Sequence, residues 1–403
     1  MGQKMDKKVS YFIIFFICCI LLIVAFTCVF NETQEPVAST ETILPEVKVD
    51  QPSVLPNWTD GKYHDYYGTT KMLNNFNEQY PELVKVSSIG KSVLGKDIWC
   101  IRLTNEKNDA RKSSCIIDGC FHGNEWEGEE ACLYLVEYLL INFNANETIT
   151  HILNSSQIYI IPIVNPDGRQ ANTRWNENGI DLNRNFDVGF GRLLPRRGGV
   201  IRLGKLFGVI KIPYIILGKY VFENCGRRPF SEPETQALSD FITDIVSKDF
   251  SFYLGCHTAD HCVYVPWEVY KPPFEMTEQE TNLFQYVLNW VDNNTEYEPA
   301  GIEVHSGKQS YTSGEIESWF FAEFRHPFFY FEILSPDYFP PKGGIPWDKA
   351  YLGESKHDHL VHWMQTTLPF FMYLLVNIDI LRQWQMPDIQ PPLPEGVPPE
   401  PLK

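Results

Sequence analysis

The chain has 403 residues, of which 44% are apolar, and this is enough for one large domain or two ordinary domains with appendages. Its formal net charge is −17. A surface that binds nucleic-acid phosphates needs clustered Lys and Arg, so this acidic chain predicts no nucleic-acid partner.

The N-terminus predicts a membrane anchor. Residues 11–30 contain no charge, Pro or Gly, and about 20 apolar residues match the hydrocarbon thickness of a bilayer as a transmembrane helix. Lysines precede this stretch, which predicts that residues 1–10 are cytoplasmic and that the rest of the chain is extracellular. The protein would then be a single-pass protein of the cell membrane. The alternative is a cleaved signal peptide, which would leave a secreted protein.

Polar ends flank a long central region. Residues 31–57 lack hydrophobic periodicity and predict a linker, and residues 377–403 finish in a Pro-rich sequence that predicts an extended tail. Between them, residues 58–376 alternate apolar runs such as SSCIIDGC and FSFYLGC with helical patterns such as EEACLYLVEYLLINF. This alternation predicts an α/β fold, a single domain with a mixed, largely parallel twisted sheet between helical layers. Ligands of such folds bind at the carboxyl ends of the strands.

Seven of the ten cysteines lie beyond the predicted linker, and several of them fall inside apolar, strand-like runs. Disulfides are possible in an oxidising compartment, but this placement favours small buried thiols. The seven are Cys100, Cys115, Cys120, Cys132, Cys225, Cys256 and Cys262.

A histidine and a glutamate three residues apart follow one of the apolar runs. His122 and Glu125 come after the predicted strand 115–118 and at the start of a predicted helix, so imidazole and carboxylate can face one point. Such a pair alone is more often a solvated charge pair, but His257 ends another apolar run. Two closely spaced ligands and one distant ligand are typical of a catalytic zinc site that leaves its fourth position for water. The sequence therefore predicts one Zn²⁺ per chain.

A series of motifs in order along residues 60–376 resembles the zinc metallocarboxypeptidase family, which includes the pancreatic carboxypeptidases. The motifs include His-Gly-Asn-Glu at 122–125, Asn-Pro-Asp-Gly at 165–168, Asp-Leu-Asn-Arg-Asn at 181–185, Ser-Glu-Pro-Glu-Thr at 231–235 and Phe-Glu-Ile at 331–333. One motif could occur by chance, but a series with the family spacing is specific. The resemblance implies the zinc carboxypeptidase fold for residues 58–376, and a hydrolase that removes C-terminal residues from peptides or proteins.

Carried over residue by residue, the resemblance assigns the metal site and the base. It implies that His122, Glu125 and His257 bind zinc, and that Asp181 orients His122 through the other ring nitrogen. Glu332 takes the position of the general base, which removes a proton from metal-activated water and returns it to the leaving amine.

The resemblance also implies how the substrate is held. Arg174 matches the arginine that stabilises the oxyanion. Asn183 and Arg184 match the pair that binds the terminal carboxylate, for which Arg supplies a planar bidentate fork. Tyr311 fits the mobile tyrosine that closes over the bound substrate.

The specificity position falls two or three residues before Trp319, at Glu317 or Ile316. Glu317 would favour a basic C-terminal residue by charge pairing, whereas Ile316 would favour an apolar residue. The acidic alternative is the one favoured here.

Residues 189–229 depart furthest from the family pattern. They interleave Arg and Lys with Ile, Leu, Phe and Tyr, and Glu223 is their only acid. Such a basic amphipathic insertion could rest on the anionic surface of the bilayer or extend the substrate groove. A packed hairpin with solvated charges is an equal alternative. The predicted partners are thus peptide or protein C-termini, and the lipid bilayer through the N-terminal helix and, in one alternative, through this insertion.

Two alternatives to a carboxypeptidase stay open at the level of sequence. One is a different hydrolysis on the same fold, by a cell-wall peptide hydrolase, a deacylase or an amidase. The other is a catalytically inactive cell-surface binding module. The presence of Glu125, Arg174 and Glu332 argues against the second alternative, because inactive relatives of enzymes tend to lose such groups.

Overall fold

The computed structural model describes residues 55–59, 61–191, 193–194, 198–203, 205, 209–217, 220–246, 249–258, 260–266, 276–300, 314–333 and 357–383. Tyr311 and the predicted membrane segment, residues 11–30, lie outside these ranges. Inside them, no helix has both the length and the apolar character needed to cross a bilayer.

Strands and helices alternate along the described chain. The strands are β1 Val84–Lys91, β2 Asp97–Leu103, β3 Ser113–Asp118, β4 Ser156–Ile161, β5 Leu193–Leu194, β6 Gly198–Ile201, β7 Tyr214–Leu217, β8 Tyr220–Asn224, β9 Phe250–His257, β10 Cys262–Tyr264, β11 Glu298–Ala300 and β12 Phe328–Glu332. The α-helices are α1 Tyr66–Gln79, α2 Trp126–Asn142, α3 Glu147–Ser155, α4 Pro166–Ala171, α5 Pro233–Ile245, α6 Glu278–Asn294, α7 Ile316–Phe324, α8 His357–Val376 and α9 Ile378–Gln383. Short 3-10 turns form at Pro56–Trp58 and Leu182–Arg184.

The larger sheet is mixed. Its eight strands follow the order β1-β2-β4-β3-β9-β12-β10-β11. Strands β4, β3, β9 and β12 are parallel neighbours, whereas β1, β2 and β10 join by antiparallel pairing. The α/β fold with a mixed sheet, predicted from the alternation of patterns, is therefore confirmed.

Burial explains the apolar sequences at the centre of this sheet. Every residue of β3 and of β9 is buried, and strands that are covered on both faces read as continuous apolar runs. Helix α2 contacts β9 and α8 and is buried from Glu127 to Leu140. Helix α5 packs against β1. The parallel core is thus enclosed by helices.

The carboxyl ends of β3, β9 and β12 meet at one edge of the sheet. Asp118 at the end of β3 pairs with Gly255, and His257 at the end of β9 pairs with Glu332 at the end of β12. His122 follows β3 by one short turn. This edge therefore gathers the residues that the sequence predicted to be functional, as expected for parallel strands.

Part of the insertion folds into a second sheet. Its four strands follow the order β5-β6-β8-β7, with β8 parallel to β6 and antiparallel to β7. Residues 215–217 of β7 are exposed. The described part of the insertion is therefore a small sheet whose edge strand, β7, exposes apolar side chains.

The fold starts before the predicted boundary. Leu55 and Trp58 are both buried, and Asn57 donates a hydrogen bond of 2.9 Å from Nδ2 to Glu137 Oε1 on α2. The end of the predicted linker 31–57 is therefore part of the folded domain.

The fold also continues past residue 376. Ile378 and Leu381 of α9 are buried, and α9 packs against β9 and β3. The predicted tail, residues 377–403, thus began too early, because its first residues form a further helix whose apolar side chains pack on the sheet.

The seven cysteines named above are all buried and free. Their interpretation as small packing thiols is confirmed for the described part of the chain.

Candidate active site

A glycine lets the turn after β3 approach α4. A Cβ built on Gly123 would lie 2.0 Å from the carbonyl carbon of Gly168, so no side chain fits there. Asn165 caps α4 by accepting a hydrogen bond of 2.9 Å on Oδ1 from the Gly168 amide. The close contact between these motifs fixes the backbone on which His122 and Glu125 are placed.

His122, Glu125 and His257 form one compact cluster. Glu125 Oε1 lies 2.7 Å from His122 Nδ1, and Glu125 Oε2 lies 2.9 Å from His257 Nδ1. Candidate donor atoms of the three residues lie within 4.8 Å of one another, and each residue is at most 5% exposed. Within the described ranges this is the one such group of His, Cys, Asp and Glu. Two imidazole nitrogens and a carboxylate are the donor set of a catalytic zinc site, so these residues fit one zinc ion.

The protonation states of two of the three residues also suit a metal. Burial and Arg174 lower the pKa of His122, but Glu125 and Asp181 outweigh them and raise it. Burial lowers the pKa of His257 to about 4, although Glu125 opposes the shift. Burial favours the neutral form of Glu125, but His122 and His257 outweigh it and hold the pKa far below its usual value. An ionised Glu125 and a neutral His257 are the forms that bind a cation.

Asp181 and Arg174 lie directly behind the cluster. Asp181 Oδ1 lies 3.3 Å from His122 Nε2, on the side of the ring opposite Glu125. Arg174 donates from Nε to Asp181 Oδ2 at 2.9 Å, and its Nη1 lies 3.1 Å from His122 Nδ1. The predicted oxyanion arginine and the predicted orienting aspartate thus both contact the same histidine.

Glu332 ends β12 beside His257, in parallel register with it. Its Oε2 is buried and has no hydrogen-bond partner among the described residues. Burial raises the pKa of Glu332 well above its usual value, and the negative charge of Glu125 raises it further. A carboxylate with a raised pKa and a free oxygen can exchange a proton with a reactant.

The loop at Leu182–Arg184 presents the predicted carboxylate-binding pair. Asn183 accepts a hydrogen bond of 3.0 Å on Oδ1 from the Ile316 amide and donates from Nδ2 to the hydroxyl of Tyr330. Arg184 donates from Nη1 to Glu315 Oε1 at 2.9 Å. Both side chains are therefore held against α7 and β12 before any substrate arrives.

The two alternatives for the specificity position differ in what they contact. Ile316 belongs to the main apolar core, together with Trp319. Glu317 is 2% exposed, and neither of its carboxylate oxygens has a hydrogen-bond partner among the described residues. Burial raises the pKa of Glu317 well above its usual value, and Glu315 adds to the shift.

Sequence reasoning missed two acids of this site, Glu223 and Glu315. Glu223 of β8 contacts Arg174 and Arg184, and Glu315 contacts Arg184. The isolated acid in an otherwise basic insertion was a signal for Glu223. Glu315 lies two residues before Glu317 and carried no comparable signal. Tyr311 lies outside the described residues, so its predicted role stays a prediction.

A sequence model of the family described as "Zinc carboxypeptidase" matches residues 69–198 and 220–349. Among curated proteins, Carboxypeptidase M of Mus musculus is 33% identical over 142 residues, which cover 32% of this chain and 32% of that protein. Carboxypeptidase O of Bos taurus is 24% identical over 229 residues, covering 53% of this chain and 55% of that protein. The chain therefore spans between about a third and about half of these two relatives.

Solved structures share the fold. Bovine thrombin-activatable fibrinolysis inhibitor, in its complex with tick carboxypeptidase inhibitor, superposes with a TM-score of 0.58 at 19% identity. The superposition covers 79% of this chain and 98% of that one. At this level of identity the likeness shows the fold alone.

Proposed function

Because the chain belongs to the zinc carboxypeptidase family, whose sequence model covers more than half of its length, we propose that it is a zinc-dependent metallocarboxypeptidase. It hydrolyses the C-terminal peptide bond of peptides or proteins. Family membership confirms the resemblance inferred from the motifs, and it makes Zn²⁺ the implied cofactor. The observation that carries the proposed activity is the placement of Glu332 in register with His257, beside the cluster of three donors.

His122, Glu125 and His257 would hold the ion. When bound, zinc supplies a Lewis acid that polarises the scissile carbonyl group and activates water for attack. Asp181, 3.3 Å from His122 Nε2, keeps that ring in one orientation and makes it more basic. Both oxygens of Glu125 already face imidazole nitrogens, so the ligands need little rearrangement to bind.

Glu332 moves the proton. It accepts a proton from the attacking water and passes it to the nitrogen of the leaving amine, so that one water is consumed and two products form. Glu332 Oε2, which has no hydrogen-bond partner among the described residues, is the atom that takes up the proton and gives it back. Arg174, whose Nη1 lies close to His122, stabilises the negative charge that develops on the carbonyl oxygen.

Asn183 and Arg184 restrict the reaction to chain ends. Arg184 offers a planar guanidinium to the terminal carboxylate, and Asn183 is fixed beside it by the Ile316 amide. A peptide that continues past this point has no carboxylate to place there. The enzyme is therefore an exopeptidase, and Tyr311 is proposed to close over its substrate.

Glu317 sets the preference for the side chain that is released. It is buried beside Glu315, and burial and that neighbouring acid raise its pKa, so a cationic group is needed beside it to hold it ionised. A C-terminal Lys or Arg would supply the missing partner for Glu317, whereas Ile316 is occupied by core contacts. Basic C-terminal residues are therefore the proposed substrates.

The N-terminal part of the chain is proposed to determine where the protein is located. Residues 11–30 are proposed to anchor the protein in the cell membrane, with residues 1–10 in the cytoplasm and the catalytic domain outside. The uninterrupted apolar sequence supports this proposal. A mature chain that begins after residue 30 would instead indicate secretion.

The test uses the zinc-loaded full chain and a peptide that ends in Lys, with either a free or an amidated C-terminus. Mass spectrometry of the products should show loss of the terminal Lys from the free peptide only. Glu332→Gln should keep one zinc per chain by elemental analysis and lose turnover by about 10²–10⁴-fold. Glu298→Gln is the matched control, because Glu298 is exposed on β11.

Three results would contradict the proposal. Zinc binding without turnover of any peptide would favour an inactive binding module. Release of ammonia from the amidated peptide, or cleavage inside the peptide, would favour the amidase or cell-wall hydrolase alternative. Unchanged turnover in Glu332→Gln would remove the assigned base.

A further inference from the structure

Glu223 is the acid that the insertion brings to the active site. Its side chain is 18% exposed and lies between two arginines. Arg184 donates from Nε to Glu223 Oε2 at 3.0 Å. Arg174 Nε lies 3.5 Å from Glu223 Oε1. One carboxylate therefore bridges the arginine proposed for the oxyanion and the arginine proposed for the terminal carboxylate.

The strand that carries Glu223 is fixed to the loop that carries Arg184. The Asp181 amide donates to the carbonyl oxygen of Asn224 at 2.9 Å. Asn185 donates from Nδ2 to the carbonyl oxygen of Cys225 at 2.7 Å. Glu223 also lies on the central pairing of the small sheet, since β8 has β6 on one side and β7 on the other. The position of its carboxylate is thus set by backbone contacts on several sides.

The nitrogen atoms of each guanidinium have different partners. Nε of Arg184 donates to Glu223 Oε2, whereas Nε of Arg174 donates to Asp181 Oδ2 and lies 3.5 Å from Glu223 Oε1. Nη1 of Arg174 faces His122 and Glu125, and Nη1 of Arg184 faces Glu315. These contacts, which involve described residues only, leave the Nη2 group of each arginine to meet a ligand. An Nε contact also fixes the rotation of the guanidinium plane.

The Glu223 carboxylate also neutralises positive charge. Arg184 is buried and the Arg174 side chain is only 12% exposed, so the two guanidinium groups repel each other, and Glu223 lies between them as a shared counter-charge. Burial lowers the pKa of Arg184, but Glu223, Asp181 and Glu315 outweigh it and hold the pKa well above its usual value. Without Glu223 the electrostatic repulsion between the two guanidinium groups would favour their separation.

We propose that Glu223 is a positioning residue, which holds the guanidinium groups of Arg174 and Arg184 side by side. Arg174 can then meet the scissile carbonyl oxygen while Arg184 binds the terminal carboxylate of the same substrate. This inference rests on the proposed function. It gives the insertion, residues 189–229, a part in the active site, because its small sheet supplies and fixes the carboxylate that aligns both arginines.

Ligand binding separates positioning from structural support. The zinc-loaded full chain is titrated calorimetrically with two inhibitors that bind zinc, an alkyl hydroxamate without a carboxylate and a substituted succinate with two carboxylates. Glu223→Gln should weaken the succinate by about 10–100-fold, the loss expected from one charge-assisted contact, and change the hydroxamate less than about twofold. Glu223→Asp keeps the charge on a shorter side chain, so it should fall between the wild type and Glu223→Gln.

The control is Glu177→Gln. Glu177 pairs with Lys211 of the insertion but contacts neither arginine, so this variant should bind both inhibitors as the wild type does. In peptide assays Glu223→Gln should raise KM and lower kcat together, because it disturbs both arginines.

The outcomes divide cleanly. Equal weakening of both inhibitors in Glu223→Gln and Glu223→Asp would show a structural role and overturn the inference. Unchanged succinate binding, or tighter binding, would overturn it as well, and the second result would identify Glu223 as a competitor of the substrate. If the wild type cleaves no peptide, the proposed function fails, but the comparison of the inhibitors still decides the role of Glu223.

Discussion

The buried carboxylates of this protein differ in what their oxygens contact. Glu234 accepts hydrogen bonds on both oxygens, from the Val93 amide at 3.1 Å and from Asn176 Nδ2 at 3.0 Å. Glu317 has no partner for either oxygen among the described residues, and Glu332 has none for Oε2. A buried acceptor without a partner costs about 1–3 kcal/mol. This cost is offset in a binding site, where a ligand or a proton supplies the missing contact.

Glu317→Gln tests that interpretation at the specificity position. The substitution removes the charge and keeps the shape, so kcat/KM for a peptide ending in Lys should fall by about 100-fold. The value for the same peptide ending in Leu should stay unchanged or rise. Glu323→Gln is the control, because Glu323 is exposed on the same helix. A preference for Lys that survives in Glu317→Gln would place the specificity residue elsewhere.

At the scale of elements, the site depends on how closely two loops approach. The turn after β3 lies against the backbone of α4 because Gly123 lacks a side chain. His122 and Glu125 stand on either side of Asn124 in this turn. A small displacement of the turn would therefore move two of the three metal ligands at once.

Gly123→Ala should weaken zinc binding by about 10–100-fold, an effect comparable to the loss of a residue that orients a ligand. Competition with a chromogenic zinc chelator measures the affinity. Gly90→Ala is a matched control, since its Cβ would lie 2.3 Å from Ala237 Cβ, between β1 and α5. That variant should lower Tm but keep the zinc affinity of the folded protein. Equal zinc affinities in the two variants would show that the turn does not control the ligands.

Local patterns explain why most elements could be predicted from the sequence. Runs such as FSFYLGC are apolar because β9 is buried on both faces, and that pattern needs no knowledge of its neighbours. The candidate metal ligands could be proposed from the sequence because His122 and Glu125 are close together on the turn and His257 ends a strand. Contacts such as those of Glu223 with Arg174 and Arg184 join distant parts of the chain, and composition carries no information on them. The same holds for α9, whose buried face follows from contact with β9.

At the scale of the whole molecule, one buried acid makes stability depend on pH. Tyr253 donates a hydrogen bond of 2.5 Å to Asp118 Oδ2, and Asp118 Oδ1 has no partner among the described residues. Burial raises the pKa of Asp118 to about 7. The pKa of an aspartate in an unfolded chain is about 3.9. Between about pH 4 and about pH 7 the unfolded chain has therefore lost a proton that the folded chain retains. Stability therefore falls as pH rises across this window and levels off above about pH 7.

Asp118→Asn should remove this contribution. The difference in free energy of unfolding, variant minus wild type, should increase by a few kcal/mol from about pH 4 to about pH 7. Denaturant titration at several pH values measures the difference. Asp240→Asn is the control, because Asp240 is exposed on α5. Parallel curves for the wild type and Asp118→Asn would show that Asp118 is ionised in the folded protein.

The seven buried thiols have a consequence for the lifetime of the protein. In the folded state they are shielded from oxidants. Unfolding would expose all of them together to oxidants. A molecule that unfolds once in an oxidising medium would then be trapped by disulfide exchange or aggregation before it refolds. In such a medium the persistence of this protein would thus be governed by the rate at which it unfolds, and not by the equilibrium between its folded and unfolded forms.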